Sequence, residues 1–194
     1  MPSRLVLLRH GATEWSQSGQ HTGRTDIPLL EIGRRQAEEV GALLRLYGLK
    51  EFAQVLTSPL TRAFDTCSLA GFEGEVDPDL MEWDYGAYEG ITTAEIQETR
   101  PGWDLWSDGV PDGETAAEVG RRADRVIERV RSVAGDTLAV AHGHLLRVLA
   151  ARWLGLPPAA GRLFMLDAGA LCILSSEHDL PAVLMWNLVT PPGN

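Results

Sequence analysis

Cysteine is scarce in this chain: Cys67 and Cys172 are the only two in 194 residues. Two thiols so far apart suggest neither a disulfide framework nor a metal-ligand cluster, so both are expected as core thiols in a reducing compartment. Positive charge is short as well. Seventeen Lys and Arg stand against 27 Asp and Glu, a formal net charge of -10, which argues against nucleic acid or an anionic membrane as partner. An acidic protein that binds an anion must do so in a local pocket of positive charge. No apolar run approaches the length of a membrane span, and Met-Pro-Ser-Arg leads straight into strand-like residues without a signal peptide's apolar segment; the cytoplasm is the expected location. Internal repeats, low-complexity tracts and Pro/Gly/Ser linkers are lacking too. With 44% hydrophobic and 23% charged residues, the chain is expected to form one globular domain over residues 1–194.

What is present is an alternation of short apolar runs with helical patterns, the signature of an α/β layered fold. Arg4 to Leu8 (RLVLL), Ala53 to Thr57 (AQVLT) and Thr137 to Ala141 (TLAVA) are expected as buried strands. Two more, from Ala170 and from Ala182, are expected to pair through the turn EHDLP. Helical stripes run through Ala37, Val40, Leu44 and Tyr47, through Leu60, Ala63, Phe64 and Cys67, through Val119 to Val133, and through Leu145, Leu149 and Trp153. Gly48 and Gly155 suit the ends of the first and last stripes. Thr115 with Glu118, and Thr92 with Glu95, have capping-box spacing. The irregular stretch Pro101 to Glu114 carries Trp103 and Trp106, expected to anchor a surface loop.

Each of the three strong strands is followed by groups able to hold a phosphate: Arg9, His10 and Gly11; then SPLTRA with Arg62; then His142 and Gly143. Ligands of open parallel sheets bind beyond the carboxyl ends of the strands, so these groups are expected to meet on one edge. Gly11 and Gly143 stand where a side chain would crowd a ligand or a facing loop. Helices starting just after the second and third sites would add free N–H groups and partial positive charge. Two arginines and two histidines around one phosphate make a cationic pocket inside an acidic protein.

Five separated blocks, LVLLRHGATEW, HTGRTDIPLLEIGRRQA, VLTSPLTRAFDT, LMEWDYGAYEG and VAHGHLLRVLA, resemble the histidine phosphatase superfamily, in its phosphoglycerate-mutase-like branch, in order and up to about residue 154. The resemblance implies a three-layer α/β sandwich, with a mostly parallel central sheet and helices on both faces. It also implies a phosphohistidine mechanism. His10 matches the nucleophile; Arg9, Arg62 and His142 match the groups that bind the phosphoryl oxygens; Glu82 matches the general acid, with Asp84 its close rival. Thr22 and Gly23 match a substrate-lining loop, and Tyr85, His21 and His144 lie at or beside matched positions as candidate substrate contacts. The implied chemistry requires neither cofactor nor metal.

The departures narrow the activity. Ser16 stands where the family often has Asn and could still reach a phosphate oxygen; Ala12 stands where many members have Glu. Thr93 occupies the position of a lysine that helps the mutases bind their substrate, and the segment where mutases place basic residues is acidic here. A mutase must retain a doubly phosphorylated intermediate, which calls for a second anion site. The expected activity is therefore that of a phosphomonoesterase of acid type acting on a small phosphorylated metabolite, with an acidic to neutral optimum. The alternatives are a cofactor-dependent phosphoglycerate mutase and a non-catalytic phospholigand-binding module. The outer pocket is expected to be poor in cations and rich in aromatics, which favours a neutral or apolar leaving group. Apolar residues near the C-terminal strands are compatible with a homodimer.

Overall fold

A computed structural model describes residues 3–190. Met1 and Pro2, part of the N-terminal expectation, lie outside the described residues. In chain order the elements are β1 (Leu5–Arg9), α1 (Glu14–Ser18), α2 (Glu31–Leu46), β2 (Gln54–Thr57), α3 (Thr61–Leu69), β3 (Glu75–Val76), α4 (Thr93–Thr99), α5 (Leu105–Asp108), α6 (Ala116–Arg131), β4 (Thr137–Ala141), α7 (Gly143–Trp153), β5 (Leu171–Glu177) and β6 (Leu180–Leu188). They build one six-stranded sheet in the order β3-β2-β4-β1-β5-β6. The pairings are parallel from β3 to β1 and antiparallel on both sides of β5, so β5 alone runs against the rest.

The apolar runs become strands covered on both faces, as continuous rather than alternating hydrophobicity requires. Along β1, Leu5 and Leu7 join one core cluster with Val119, Ala123 and Val126 of α6 and Leu145 and Leu149 of α7. Val6 and Leu8 point the other way, into a cluster with Val40 and Leu44 of α2 and Ala63 and Cys67 of α3. Helices therefore lie on both sides of a mostly parallel sheet, the three-layer α/β arrangement implied by the resemblance. Both capping boxes form, Thr92–Glu95 at α4 and Thr115–Glu118 at α6. Strands β5 and β6 meet through His178 and Asp179, both at positive φ (50° and 64°), the two-residue turn whose twist matches that of flanking antiparallel strands.

Some expectations change. Phe64 sits on the exposed side of α3 (43% accessible), and Tyr47 caps α2 from outside the helix (47%), so neither belongs to the core stripe. Val133 falls beyond the end of α6. Trp103 and Trp106 do anchor their segment, but by joining the core cluster, and the segment contains the short helix α5.

The sheet also sets the geometry of its carboxyl edge. Arg9 pairs with Ala141 across β1 and β4, so the next residues, His10 and His142, emerge side by side. Thr57 pairs with Val140 across β2 and β4, which brings Ser58 beside His142 from the other flank.

Candidate active site

His10 and His142 leave the two central strands with ring centroids 5.2 Å apart. The His10 Nδ1 lies 2.8 Å from the carbonyl oxygen of Gly11. A carbonyl only accepts, so in the neutral ring the proton is on Nδ1 and the lone pair on Nε2, which has no protein partner among the described residues. Burial, reinforced by the charges of Arg9 and Arg62 and opposed by the Gly11 hydrogen bond, holds His10 well below the ordinary histidine pKa of 6.5. The loop carrying His10 is fixed from three sides. The Gly11 N–H donates to Thr66 Oγ1 of α3, the Ala12 N–H donates to Gln36 Oε1 of α2, and the Gly11 and Gly33 backbones touch so closely that a Cβ on Gly11 would lie 2.1 Å from the Gly33 oxygen.

Arg9, His10, Ser16, His21, Thr22, Glu82, Tyr85, Gly143 and His144 line one cavity of about 220 Å³ at this edge. Arg62 and His142 are not among its lining residues; both are without solvent exposure, and the His142 ring packs beside that of His10. The Arg62 guanidinium is anchored by donating to the carbonyls of Thr22, Gly23 and Thr25. Arg9 donates to the carbonyl of Leu166, and His142 Nε2 lies 2.8 Å from Ser58 Oγ. Each of these three residues keeps one buried nitrogen without a partner among the described residues: Arg9 Nε, Arg62 Nε and His142 Nδ1. Burial pushes both guanidinium groups down from their ordinary value, with Glu82 opposing. It also holds His142 well below 6.5, with Arg62 and His10 adding to the effect.

Glu82 closes the cavity on the α7 side. Its Oε1 accepts N–H bonds from Trp83 and Leu145, and its Oε2 one from His144, so the carboxyl group caps the start of α7. It is enclosed (5% accessible) beside Trp83 and Tyr85. Its rival Asp84 accepts instead from Arg24 and the Gly86 N–H and does not line the cavity.

The other expected contacts divide. His21, Thr22, Tyr85 and His144 reach the cavity. Gly23 does not: its N–H donates to Glu89, its carbonyl supports Arg62, and a Cβ there would meet Glu89 and the Trp83 carbonyl at 2.6 Å. Ser16 lines the wall, but its hydroxyl donates to the Thr13 carbonyl and accepts the Thr13 N–H within the α1 capping box, so its one proton is committed to the helix start. Arg147 is a lining residue that the sequence did not single out. Its guanidinium stacks 4.7 Å over Trp106 and donates to the carbonyls of Gly161 and Arg162. The cavity is thus less poor in cations than expected; the only sequence signal was a basic residue one turn into α7. Ser58 also went unassigned, although SPLTRA places it directly after β2. Among the described residues no three His, Cys, Asp or Glu side chains gather as a metal site, and no helix is long and apolar enough to cross a membrane.

Comparison with known proteins gives this edge its context. The family model of the histidine phosphatase superfamily (branch 1) matches residues 5–189. An acid phosphatase of Mycobacterium tuberculosis is 42% identical over 194 residues, covering 97% of this chain and 94% of that protein. A sedoheptulose 1,7-bisphosphatase of Saccharomyces cerevisiae is 38% identical over 262 residues, covering 99% of this chain and 97% of that one. The solved structure of an open reading frame product of Mycobacterium tuberculosis matches with a TM-score of 0.89 and 41% identity, over 96% of this chain and 98% of that chain. With likeness running through every strand from β1 to β6, this chain belongs to the histidine phosphatase superfamily, branch 1.

Proposed function

We propose that the chain is a phosphomonoesterase that works through a phosphohistidine on His10. The observation that carries this reading is the set of buried polar nitrogens without partners around that ring. Of the five buried side-chain atoms lacking a hydrogen bond among the described residues, three are Arg9 Nε, Arg62 Nε and His142 Nδ1. An unpaired buried polar group costs about 1–3 kcal/mol, so three around one imidazole make sense where an anion with several acceptor oxygens completes them. A phosphoryl group is such an anion, and charge-assisted bonds to it gain strength as charge spreads over its oxygens in the transition state.

The steps follow from the ring's proton inventory. The Nε2 lone pair of His10 attacks phosphorus in line, an N–P bond forms and the ester P–O bond breaks. Glu82 delivers a proton to the departing alcohol oxygen. Water then attacks phosphorus, Glu82 takes up its proton, the N–P bond breaks and inorganic phosphate leaves. Gly11 keeps Nδ1 protonated throughout, so the attacking nitrogen is the same in every turnover. The naming of a similar protein as an acid phosphatase supports hydrolysis over transfer.

Stopping the reaction within milliseconds under denaturing alkali, with a radiolabelled phosphate ester, should trap label on the chain as an acid-labile adduct. His10→Ala should lose that adduct and at least 10³-fold in kcat/KM. Phosphate release that survives in His10→Ala would assign another nucleophile. Interconversion of 2- and 3-phosphoglycerate well above phosphate release would place the activity among the isomerases instead.

A further inference from the structure

Ser58 leaves β2 at the same sheet edge as His10 and His142, and the steps above give it no part. It is wholly buried, and its N–H donates to the Val140 carbonyl at 3.0 Å, which extends the ladder between β2 and β4 by one bond. Its hydroxyl stands between two groups: the Leu60 N–H at the N-cap of α3, 3.3 Å away, and His142 Nε2, 2.8 Å away. No other partner reaches that hydroxyl among the described residues.

A hydroxyl has one proton and two lone pairs. The Leu60 N–H can only donate, so it occupies one lone pair. The Ser58 proton is then left to face a ring nitrogen that is either an acceptor or a donor. If Ser58 donates, Nε2 accepts and the proton of the neutral His142 ring is on Nδ1. If Nε2 donates instead, the Ser58 proton has no acceptor and Nδ1 is a bare lone pair. The first arrangement leaves one buried polar atom unmet, the Nδ1–H; the second leaves two. Each unmet buried group carries its desolvation penalty, so the first arrangement is favoured.

An anion beside the ring widens the difference. An Nδ1–H donates to a phosphoryl oxygen, whereas an Nδ1 lone pair would be set against the lone pairs of that oxygen. Burial and the charges of Arg62 and Arg9 keep the ring from taking a second proton, so a neutral His142 is a donor there only in the first arrangement. The two imidazoles of the edge thus carry their protons on the same atom to opposite ends. In His10 the Gly11 carbonyl binds the Nδ1–H and frees the Nε2 lone pair to attack. In His142 the hydroxyl of Ser58 engages the Nε2 lone pair and leaves the Nδ1–H for the ligand.

We infer that Ser58 is a positioning residue of the phosphoryl site: by donating to His142 Nε2 it holds the proton of that ring on Nδ1, as a neutral donor for a phosphoryl oxygen. This role rests on the phosphomonoesterase reading above, which supplies the phosphoryl group. The direct test needs no variant of Ser58. Proton–nitrogen NMR spectra of the full chain carrying nitrogen-15 histidine, with and without inorganic phosphate at about pH 7.5, should show His142 with a protonated Nδ1 and an unprotonated Nε2, a state set by the hydrogen bonds of the neutral ring. Loss of the signals in His142→Ala assigns them. An Nε2–H tautomer, or a doubly protonated ring, would overturn the role of Ser58 while leaving the phosphatase standing.

Kinetics separate positioning from packing. Ser58→Ala should lower kcat/KM for 4-nitrophenyl phosphate about tenfold, and Ser58→Thr, which keeps a hydroxyl, should restore most of the loss. In a His142→Ala background Ser58→Ala should cost nothing further, because its effect runs through that ring. An equal loss in both backgrounds would reduce Ser58 to a structural residue and overturn the inference. If either Ser58 variant folds poorly, the wild-type spectra still decide. A wild-type chain that hydrolyses no phosphate ester would remove the phosphomonoesterase and the role of Ser58 within it together.

Discussion

At the scale of single residues, Glu82 carries the sharpest expectation, because its two oxygens serve two purposes. Three backbone N–H groups orient it at the start of α7, and it lines the same cavity as His10, where the proposed mechanism calls for an acid. Glu82→Gln keeps the shape but sets an NH₂ against at least one of those N–H donors, for a stability loss of about 1 kcal/mol. The larger effect should be chemical: about 10²–10⁴-fold in kcat for an alkyl phosphate, whose leaving oxygen needs a proton. For 4-nitrophenyl phosphate, whose leaving group departs without one, the loss should be much smaller. Measuring both esters on one variant separates acid catalysis from positioning, since a purely structural Glu82 would depress both equally. His10, His142, Arg9, Arg62 and Glu82 were legible in the chain because each follows a strand or sits in a motif block. Arg147 and Ser58 were not, since nothing in a sequence says that a residue one turn into a helix, or one directly after a strand, is turned toward the cavity or the second histidine. Ser16 reaches the cavity as expected, while the engagement of its hydroxyl in a capping box shows only at the start of α1.

At the scale of elements, the contact between the loop after β1 and the first turn of α2 decides whether His10 is in place. Helix propensity alone says that Gly33→Ala should stabilise α2 by about 1 kcal/mol. Packing says the opposite, because the new Cβ would lie 2.2 Å from the Ala12 carbonyl oxygen, a backbone atom that no side-chain rotation can move. Packing should win, with a net destabilisation of about 2 kcal/mol or more in urea unfolding, together with reduced kcat as the Gly11–Ala12 backbone shifts and carries the His10 ring with it. A stabilised, fully active Gly33→Ala would show that the loop is free to move. The long elements were readable because their apolar spacing is enforced by burial on both faces of the sheet. The two-residue strand β3 and the short helices α1 and α5 were not, for at such lengths periodicity carries no signal and tertiary contacts decide the conformation. The same limit explains Phe64, whose spacing on α3 fits the core stripe although its side chain lies on the exposed edge.

At the scale of the molecule, four imidazoles, those of His10, His21, His142 and the half-buried His144, are held below their ordinary pKa, first by desolvation in each case. Above pH 6.5 they are neutral in both folded and unfolded chains and leave stability unchanged. Below it the unfolded chain takes up protons that the folded one resists, so stability must fall as pH falls below 6.5. Two effects oppose or mimic this, and neither governs the same window. Acidification relieves the repulsion of a -10 net charge, but salt at about 0.15 M screens most of that at the surface. Glu95 and Glu118, held down by their capping bonds to Thr92 and Thr115, give up their contribution only below the ordinary carboxylate value of 4.5. Urea midpoints measured at pH 7.5, 6.5 and 5.5 in phosphate-free buffer should therefore decline with most of the change below 6.5. A midpoint that stays level or rises over that interval would mean that these rings accept protons in the folded state, and with them the lone pair on which the His10 attack depends would be lost.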